Sequence, residues 1–421
     1  MATLTRTIKR LIPTKVFAAL QPIYHFMWAW GSALRYRNPS RDIIVIGVTG
    51  TKGKSTTSEL LMTLLEAGGY KVGGVNGIRF KTGDSDTPND LKMTMPGRGL
   101  IQHYLRRAVD TGCTHFVLEM TSEGAKLHRH RFIELNALVF TNLSPEHIES
   151  HGSFEKYKDA KLSLVRQLER SQKRPTTMFA NIDDDAGDEF LSCAASRTVA
   201  FSLSDTPHEV SEGGVTLTID GIPLTSQLRG EFNAYNILAA ATVATHFGVP
   251  LSATQEVLKA YTGPRGRVEF IRCGQPFDVV VDYAHTADSL NQFYGAFPNQ
   301  RLICLLGSTG GGRDTWKRPE MGRVADNHCD VIVLTNEDPY DEDPHRIVAE
   351  VGRGIVQHRP VIIMDRREAI HYALMVANDG DAVLLTGKGT DPYIMEAEGN
   401  RTPWDDARVA REELDSIGFS C

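Results

Sequence analysis

The run Gly47-Val48-Thr49-Gly50-Thr51-Lys52-Gly53-Lys54-Ser55-Thr56 holds the residue types and spacing that speak most directly of chemistry. Glycines at 50 and 53 let backbone N–H groups approach an anion, and a helix opening at Ser55 would turn its positive end toward it. Lys54 then reaches the terminal phosphates of a nucleotide, Ser55 holds Mg²⁺, and Thr51 and Thr56 complete the cradle. The spacing departs from GxxxxGK[ST], since five residues separate Gly47 from Gly53 and position 48 is Val. The context fits the rule. An apolar strand is expected over Ile43 to Val48, and helical periodicity runs from Ser55 to Ala67 before Gly68-Gly69.

Other groups sit where strands should end. Glu119 closes Phe116–Glu119, and its carboxylate is a hard oxygen ligand suited to Mg²⁺. His147 and His151 follow the next strand candidate, Ala137 to Thr141; zinc is disfavoured there because no Cys or acidic partner completes a tetrahedral set. Lys161, read alone, is a solvated helix lysine. Asn233 and Asn236, in Gly230-Glu231-Phe232-Asn233-Ala234-Tyr235-Asn236, begin a helix that Asn233 could cap. Farther along, Gly307-Ser308-Thr309-Gly310-Gly311-Gly312-Arg313-Asp314 with Lys317-Arg318 reads either as a flexible loop or as an anion pocket.

The elements that must hold these groups alternate. From Asp42 onward short β-branched runs alternate with longer helical patterns, the mark of an α/β fold with a parallel sheet, whose ligands bind at the carboxyl edge. Val215, Leu217, Ile219 and Leu224 alternate around Asp220-Gly221, predicting a hairpin in an antiparallel flap on the nucleotide domain. A turn-rich boundary at Tyr261-Thr262-Gly263-Pro264 precedes a second α/β unit with strands expected at Val279–Val281, Leu302–Leu306, Val331–Leu334 and Ala382–Leu385. The division is thus 1–40, 41–262 and 263–421. At 421 residues with a net charge of −6, the chain is multidomain and lacks the basic surface of a general nucleic-acid binder. Six scattered cysteines predict neither a zinc ribbon nor a disulfide framework, which fits a reducing cytoplasm. Residues 1–40 combine Arg6, Lys9, Arg10 and Lys15 with Ile23, Tyr24, Phe26, Met27, Trp28 and Trp30, a pattern that either packs on the next domain or touches a membrane surface.

The form TGTKGKST at 49–56 resembles the Mur ligase family, in particular the ligases that add the third residue of the peptidoglycan stem peptide; the likeness runs from about 42 to 415. It implies a P-loop central ATPase domain with a parallel sheet and a C-terminal Rossmann-like domain. It also implies that Glu119 and His147 match metal ligands, and that Lys161 matches a lysine carbamylated by CO₂. The GxFNxxN match places Asn233 and Asn236 near ATP, Arg267 resembles a hinge arginine, and Asp282-Tyr283-Ala284-His285 resembles a DYAH motif beside the nucleotide. Arg313 belongs to a run similar to GxGGxRDxxKRP. Thr87, Arg98 and Ser122 lie where the family meets its acceptor, and Asp338, Tyr340, Gly387 and Asp391 where it meets the amino acid.

The chain departs from that pattern at three places. Glu337-Asp338-Pro339-Tyr340 replaces DNPR, so the arginine that grips a distal carboxylate is missing. The acids Glu337, Asp338, Asp341, Glu342 and Asp343 would suit lysine or ornithine, or else are solvated surface. Gly387-Lys388-Gly389-Thr390-Asp391 lacks the histidine of GKGHE, and Glu123 replaces a histidine. With the phosphate loop near residue 47, no room is expected for the family's N-terminal uridine-binding domain. The resulting reading is a cytoplasmic, Mg-ATP-dependent ligase joining an amino acid to a carboxylate acceptor, a muropeptide that could be lipid-linked, through an acyl phosphate, with domain closure. A folylpolyglutamate- or cyanophycin-type ligase and a non-catalytic nucleotide-binding subunit are the alternatives.

Overall fold

The computed structural model describes residues 14–146, 148–312 and 315–421. The chain packs as two compact units. One takes the chain through Glu146, then His151–Asp205 and Asn236–Thr254; the other is chiefly Thr206–Tyr235 and Gln255–Cys421.

Ile44–Thr49 lies inside the eight-stranded sheet of the first unit, and its residues from Val45 on are buried, as a strand covered on both faces requires. The sheet runs Ser85–Pro88, Arg79–Thr82, Val72–Val75, His115–Glu119, Ile44–Thr49, Ala137–Phe140, Thr177–Asn181, Arg197–Phe201. Only Arg79–Thr82 pairs antiparallel, and it does so with both of its neighbours. From Ile44–Thr49 the chain turns through the helix Lys54–Ala67 to Val72–Val75, two places away, and later returns with His115–Glu119 to fill the gap. It then crosses to the other side with Ala137–Phe140. That reversal opens a crevice beyond the carboxyl end of Ile44–Thr49, where ligands of open α/β sheets bind. Gly68 and Gly69 (φ +83°) end the helix as expected, with the Tyr70 N–H donating to Leu65 O.

The helix Thr14–Arg35 seats Ala29 and Ala33 against the helix Arg98–Asp110, and Phe26 meets Phe132 edge-on at 5.2 Å. None of the described helices is long and apolar enough to cross a membrane.

In the second unit, Gly214–Ile219 and Ile222–Ser226 form the expected hairpin; Asp220 (φ 48°) and Gly221 (φ 77°) make its turn, and His208–Ser211 adds a third strand. Packing groups this sheet with the second unit rather than with the phosphate-loop unit, as had been expected of the flap. The larger sheet runs Glu269–Phe270, Asp278–Val281, Ala382–Leu385, Leu302–Leu306, Val331–Leu334, Val361–Ile362, parallel except for its first strand. All four expected strands are present. Apolar cores cover both of its faces.

The cysteines differ from expectation. Cys273 is bonded to Cys421 and Cys304 to Cys329. Separations of 148 and 25 residues give no local spacing signal, so only the fold brings these pairs together.

A fully buried ion pair ties the sheet to the last helix, Asp406–Ser416. Arg366 donates to both carboxylate oxygens of Asp406 at 2.8 and 2.6 Å and to Thr386 O, while the Trp404 indole N–H donates to the same carboxylate. Asp406→Ala strands a buried guanidinium and is expected to lower stability by about 3–5 kcal/mol in urea denaturation.

Acid should weaken the first unit. Burial holds His115 at about 4, and burial reinforced by Arg131 holds His130 at about 3, against 6.5 in the open chain. The unfolded chain therefore binds more protons between those values and 6.5. Stability is full above 6.5 and is lost as pH falls toward 4. His115→Asn should reduce the difference between urea midpoints measured near pH ~7 and ~5.

Candidate active site

Strand register sets the site. Val48 pairs with Glu119 and Thr49 with Phe140, so the chain leaves Ile44–Thr49 between Glu119 on one side and Thr141 on the other. The loop that follows is held open from outside. Thr141 Oγ1 donates to Lys52 O at 2.7 Å, the Lys52 N–H donates to Asn142 Oδ1 at 2.8 Å, and the Thr51 N–H donates to Asn142 O at 2.8 Å. Thr51 Oγ1 bonds Tyr157 OH at 2.9 Å and accepts from the Ser144 N–H. Two glycines make the tight path possible. A Cβ on Gly50 (φ +153°) would lie 1.9 Å from Thr141 Oγ1, and one on Gly53 (φ +77°) 2.2 Å from Asn236 Oδ1. Gly53 also caps the helix, which begins at Lys54.

The loop's side chains sort themselves by task. Lys54 donates to Thr51 O at 2.7 Å, folded over the cradle. Ser55 Oγ donates to Glu119 Oε2 at 2.8 Å, and the Gly77 N–H donates to the same oxygen at 2.9 Å. A hydroxyl and a carboxylate thus converge beside the loop, a hard oxygen pair that fits Mg²⁺. Thr56 is buried in the first helical turn. Asn236 accepts from Thr57 Oγ1 at 3.2 Å, against the loop's far side.

Lys161, on the helix Phe154–Glu169, is not the solvated lysine its local sequence suggests. It is 1 % exposed, donates to Gly50 O, and lies 4.8 Å from the centre of the Tyr157 ring one turn before it. It makes no ion pair with a carboxylate among the described residues. Burial first, and the Lys54 charge second, push its amine well below the usual lysine range. His147 lies outside the described residues.

The three residues expected at the acceptor belong to this unit. Thr87 sits on the exposed strand Ser85–Pro88. Ser122 is buried, its Oγ 3.2 Å from His151 Nε2, and His151 also meets Glu123 at 3.3 Å. Arg98 is not a solvated loop arginine. It opens the helix Arg98–Asp110, buried, with its guanidinium donating to Leu127 O and its Nε without a partner; burial and then Arg129 lower its basicity.

The remaining groups belong to the second unit. Asn233 lies inside the helix Glu231–His246 and donates to Arg229 O, so it does not cap from ahead of the helix. Arg267 lies over the Tyr283 ring at 4.2 Å. Asp282 accepts from the Val268 and Ala284 N–H groups, and His285 Nδ1 lies 2.7 Å from Tyr283 O. Arg313 lies outside the described residues. Gly387 (φ +101°) follows the strand Ala382–Leu385, and a Cβ there would meet Glu337 Oε2 at 2.4 Å.

The acidic loop needs a correction. Asp338 pairs with the fully buried Lys388 at 2.9 Å, and Asp391 approaches the same amine at 3.6 Å. Glu342 pairs with the buried Arg318, Asp343 caps the helix Pro344–Gly352, and Asp341 accepts from the Glu398 N–H. These four are neutralised or bonded within the fold, so the sequence's acidity is not a free field for a diamine. Glu337 differs: 2 % exposed, it accepts from Thr309 through Oε1, leaves Oε2 unpartnered, and is held above the usual carboxylate range by burial and then Asp338. Tyr340, in the position of the missing arginine, takes a left-handed backbone (φ 52°) with its N–H on Met395 O.

Comparison with known proteins places this geometry. Residues 48–244 match the Mur ligase middle domain and 266–389 match the Mur ligase, glutamate ligase domain. The chain is 33% identical over 396 residues to the UDP-N-acetylmuramoyl-L-alanyl-D-glutamate–2,6-diaminopimelate ligase of Syntrophomonas wolfei, covering 90% of this chain and 80% of the relative. The chain belongs to the Mur ligase family. The UDP-N-acetylmuramyl-tripeptide synthetase of Roseiflexus is 34% identical over 417 residues, covering 92% and 82%. A solved UDP-N-acetylmuramoyl-L-alanyl-D-glutamate–2,6-diaminopimelate ligase superposes with a TM-score of 0.61 at 30% identity, over 90% of this chain and 79% of the other. Mycobacterium tuberculosis folylpolyglutamate synthase shares the fold, with a TM-score of 0.70 at 17% identity over 88% and 96%.

As a Mur ligase the chain is an ATP-dependent, ADP-forming ligase that makes an amide between an acid and an amino acid. Reading the Mur ligase sequence alone missed Asn142 and Tyr157, which shape the phosphate loop. Their only signals were a polar residue just past a strand end and an aromatic four positions before Lys161. Gly53→Ala, which drives a methyl into Asn236, is expected to weaken ATP binding about a hundredfold, the loss of one or two charged hydrogen bonds, in a fluorescent-nucleotide titration.

Proposed function

We propose that this Mur ligase transfers the γ-phosphoryl group of ATP to the terminal carboxylate of a muropeptide acceptor and then lets an amino acid displace phosphate. In the first step the carboxylate oxygen bonds phosphorus and ADP leaves. In the second the amine attacks the acyl carbon, the bond to the phosphate oxygen breaks, and the ammonium proton is lost. One observation carries this reading: the Ser55 hydroxyl bonded to the Glu119 carboxylate beside a glycine cradle. Relatives named for muropeptide substrates support the acceptor class. ATP dependence suits the cytoplasm.

Gly50, Thr51, Gly53, Lys54 and Thr56 hold the phosphates. Ser55, Glu119, His147 and a carbamylated Lys161 hold Mg²⁺, which offsets the charge gathered when phosphoryl meets carboxylate. Burial favours the neutral amine, the form that attacks CO₂: its nitrogen bonds the carbon, the nitrogen loses a proton, and the side chain becomes an anion. Asn233, Asn236, Arg267, Asp282 and His285 serve the nucleotide. Thr87, Arg98 and Ser122 serve the acceptor, and Arg313, Asp338, Tyr340, Gly387 and Asp391 the amino acid, with Asp338 and Asp391 acting through Lys388.

Phosphate release from Mg-ATP with UDP-MurNAc-dipeptide, screened against single amino acids, should be stimulated by one of them, with the matching gain in product mass. No stimulation by any amino acid moves the acceptor outside the nucleotide-linked muropeptides. Lys161→Ala should lower turnover by at least about a hundredfold, with partial recovery on adding short carboxylates. Unchanged turnover removes the carbamate.

A further inference from the structure

The helix Thr14–Arg35 has two apolar faces, and the fold uses only one. Ala29 and Ala33, fully buried, seat it on the body of the first unit. Away from that seat run Ile23, Met27, Trp30 and Leu34, spaced i, i+4, i+7, i+11, while Tyr24 and Trp28 lie on the other flank, Trp28 near Gly99; all six are 46–60 % exposed. Such a spacing lines one stripe of a helix, and four large side chains in a row with two more on the flank are far from the scattered exposed apolar residue of an ordinary surface. In the sequence, Val16 and Leu20 continue the same spacing toward the start.

Charge says what covers the stripe. Residues 1–41 hold Arg6, Lys9, Arg10, Lys15, Arg35, Arg37 and Arg41 and no Asp or Glu, in a chain whose net charge is −6. In sequence, the segment that holds this helix is thus basic throughout, with no acid to offset it. Two copies packed stripe to stripe would bring like charge onto like charge, with no carboxylate in the segment to set a pairing register. An anionic lipid surface meets both properties at once. Tryptophan and tyrosine favour the interface between headgroups and acyl chains, and lysine and arginine are drawn to acidic headgroups. The helix is not apolar enough to cross a bilayer, which fits one lying along its surface.

We infer that the stripe Ile23, Met27, Trp30 and Leu34, with Tyr24 and Trp28, docks this enzyme on an anionic lipid surface. The seat made by Ala29 and Ala33 holds the first unit to that surface. This placement stands apart from the choice of acceptor and can be tested without turnover.

The test uses the full chain and vesicle flotation. Phosphatidylcholine vesicles containing phosphatidylglycerol should carry the protein up, phosphatidylcholine alone should carry far less, and high salt should release it. The double variant Met27→Glu, Trp30→Glu should lower the bound fraction at least about tenfold, with an unchanged thermal melt and unchanged ATP turnover in vesicle-free solution. Equal flotation of the double variant and the parent would overturn the proposal. So would a parent that stays in the soluble fraction, and a dimer in sedimentation that the double variant dissolves would then assign the stripe to a second copy.

Discussion

A loop that cradles a polyanion must have its shape fixed from outside before the anion arrives, even where that uses two of its own N–H groups, those of Thr51 and Lys52. Every other feature of the first unit's site follows from that constraint. Here the shape is imposed by Thr141 and Asn142 on one flank and by Tyr157 through Thr51. The glycines matter less for flexibility than for the space they leave, since methyl groups at 50 and 53 would strike Thr141 and Asn236. Strand order supplies the flanks: only because Ala137–Phe140 is the next neighbour of Ile44–Thr49 do Thr141 and Asn142 stand where the loop needs them.

Buried cations fall into two kinds. Arg366, Lys388 and Arg318 each meet a carboxylate and fasten strands, helices and loops of the second unit together. A buried charge with its partner removed is strongly destabilising, which makes these pairs poor places for variation. Lys161 is the other kind, a buried amine with a carbonyl and an aromatic face and, among the described residues, no carboxylate in an ion pair with it. The cheapest state for such a group is the neutral one. The same side chain in two electrostatic settings thus has two different chemistries.

Local signals made the phosphate loop, the flanking strand, the helix stop at Gly68-Gly69 and the Asp220-Gly221 hairpin legible, each because a few adjacent residues determine the backbone. What could not be read locally depended on distant partners. Nothing near Lys388 announces Asp338, nothing near Arg366 announces Asp406, and the cysteine pairs are invisible in spacing. The run from Glu337 to Asp343 read as a field of negative charge because a sequence lists charges without their counter-ions. Arg98 was legible only as a residue of the acceptor segment; that a helix starts there and buries it could not be read locally. Resemblance to relatives supplied Lys161, which no property of its neighbours in the chain singles out.

Glu119 Oε2 is shared. It accepts from Ser55, in the nucleotide loop, and from the N–H of Gly77, in the turn that leads into the strands Arg79–Thr82 and Ser85–Pro88. Any cation drawn to that oxygen competes with both donors at once. One oxygen atom thus joins the phosphate loop to the turn that carries Thr87's hairpin.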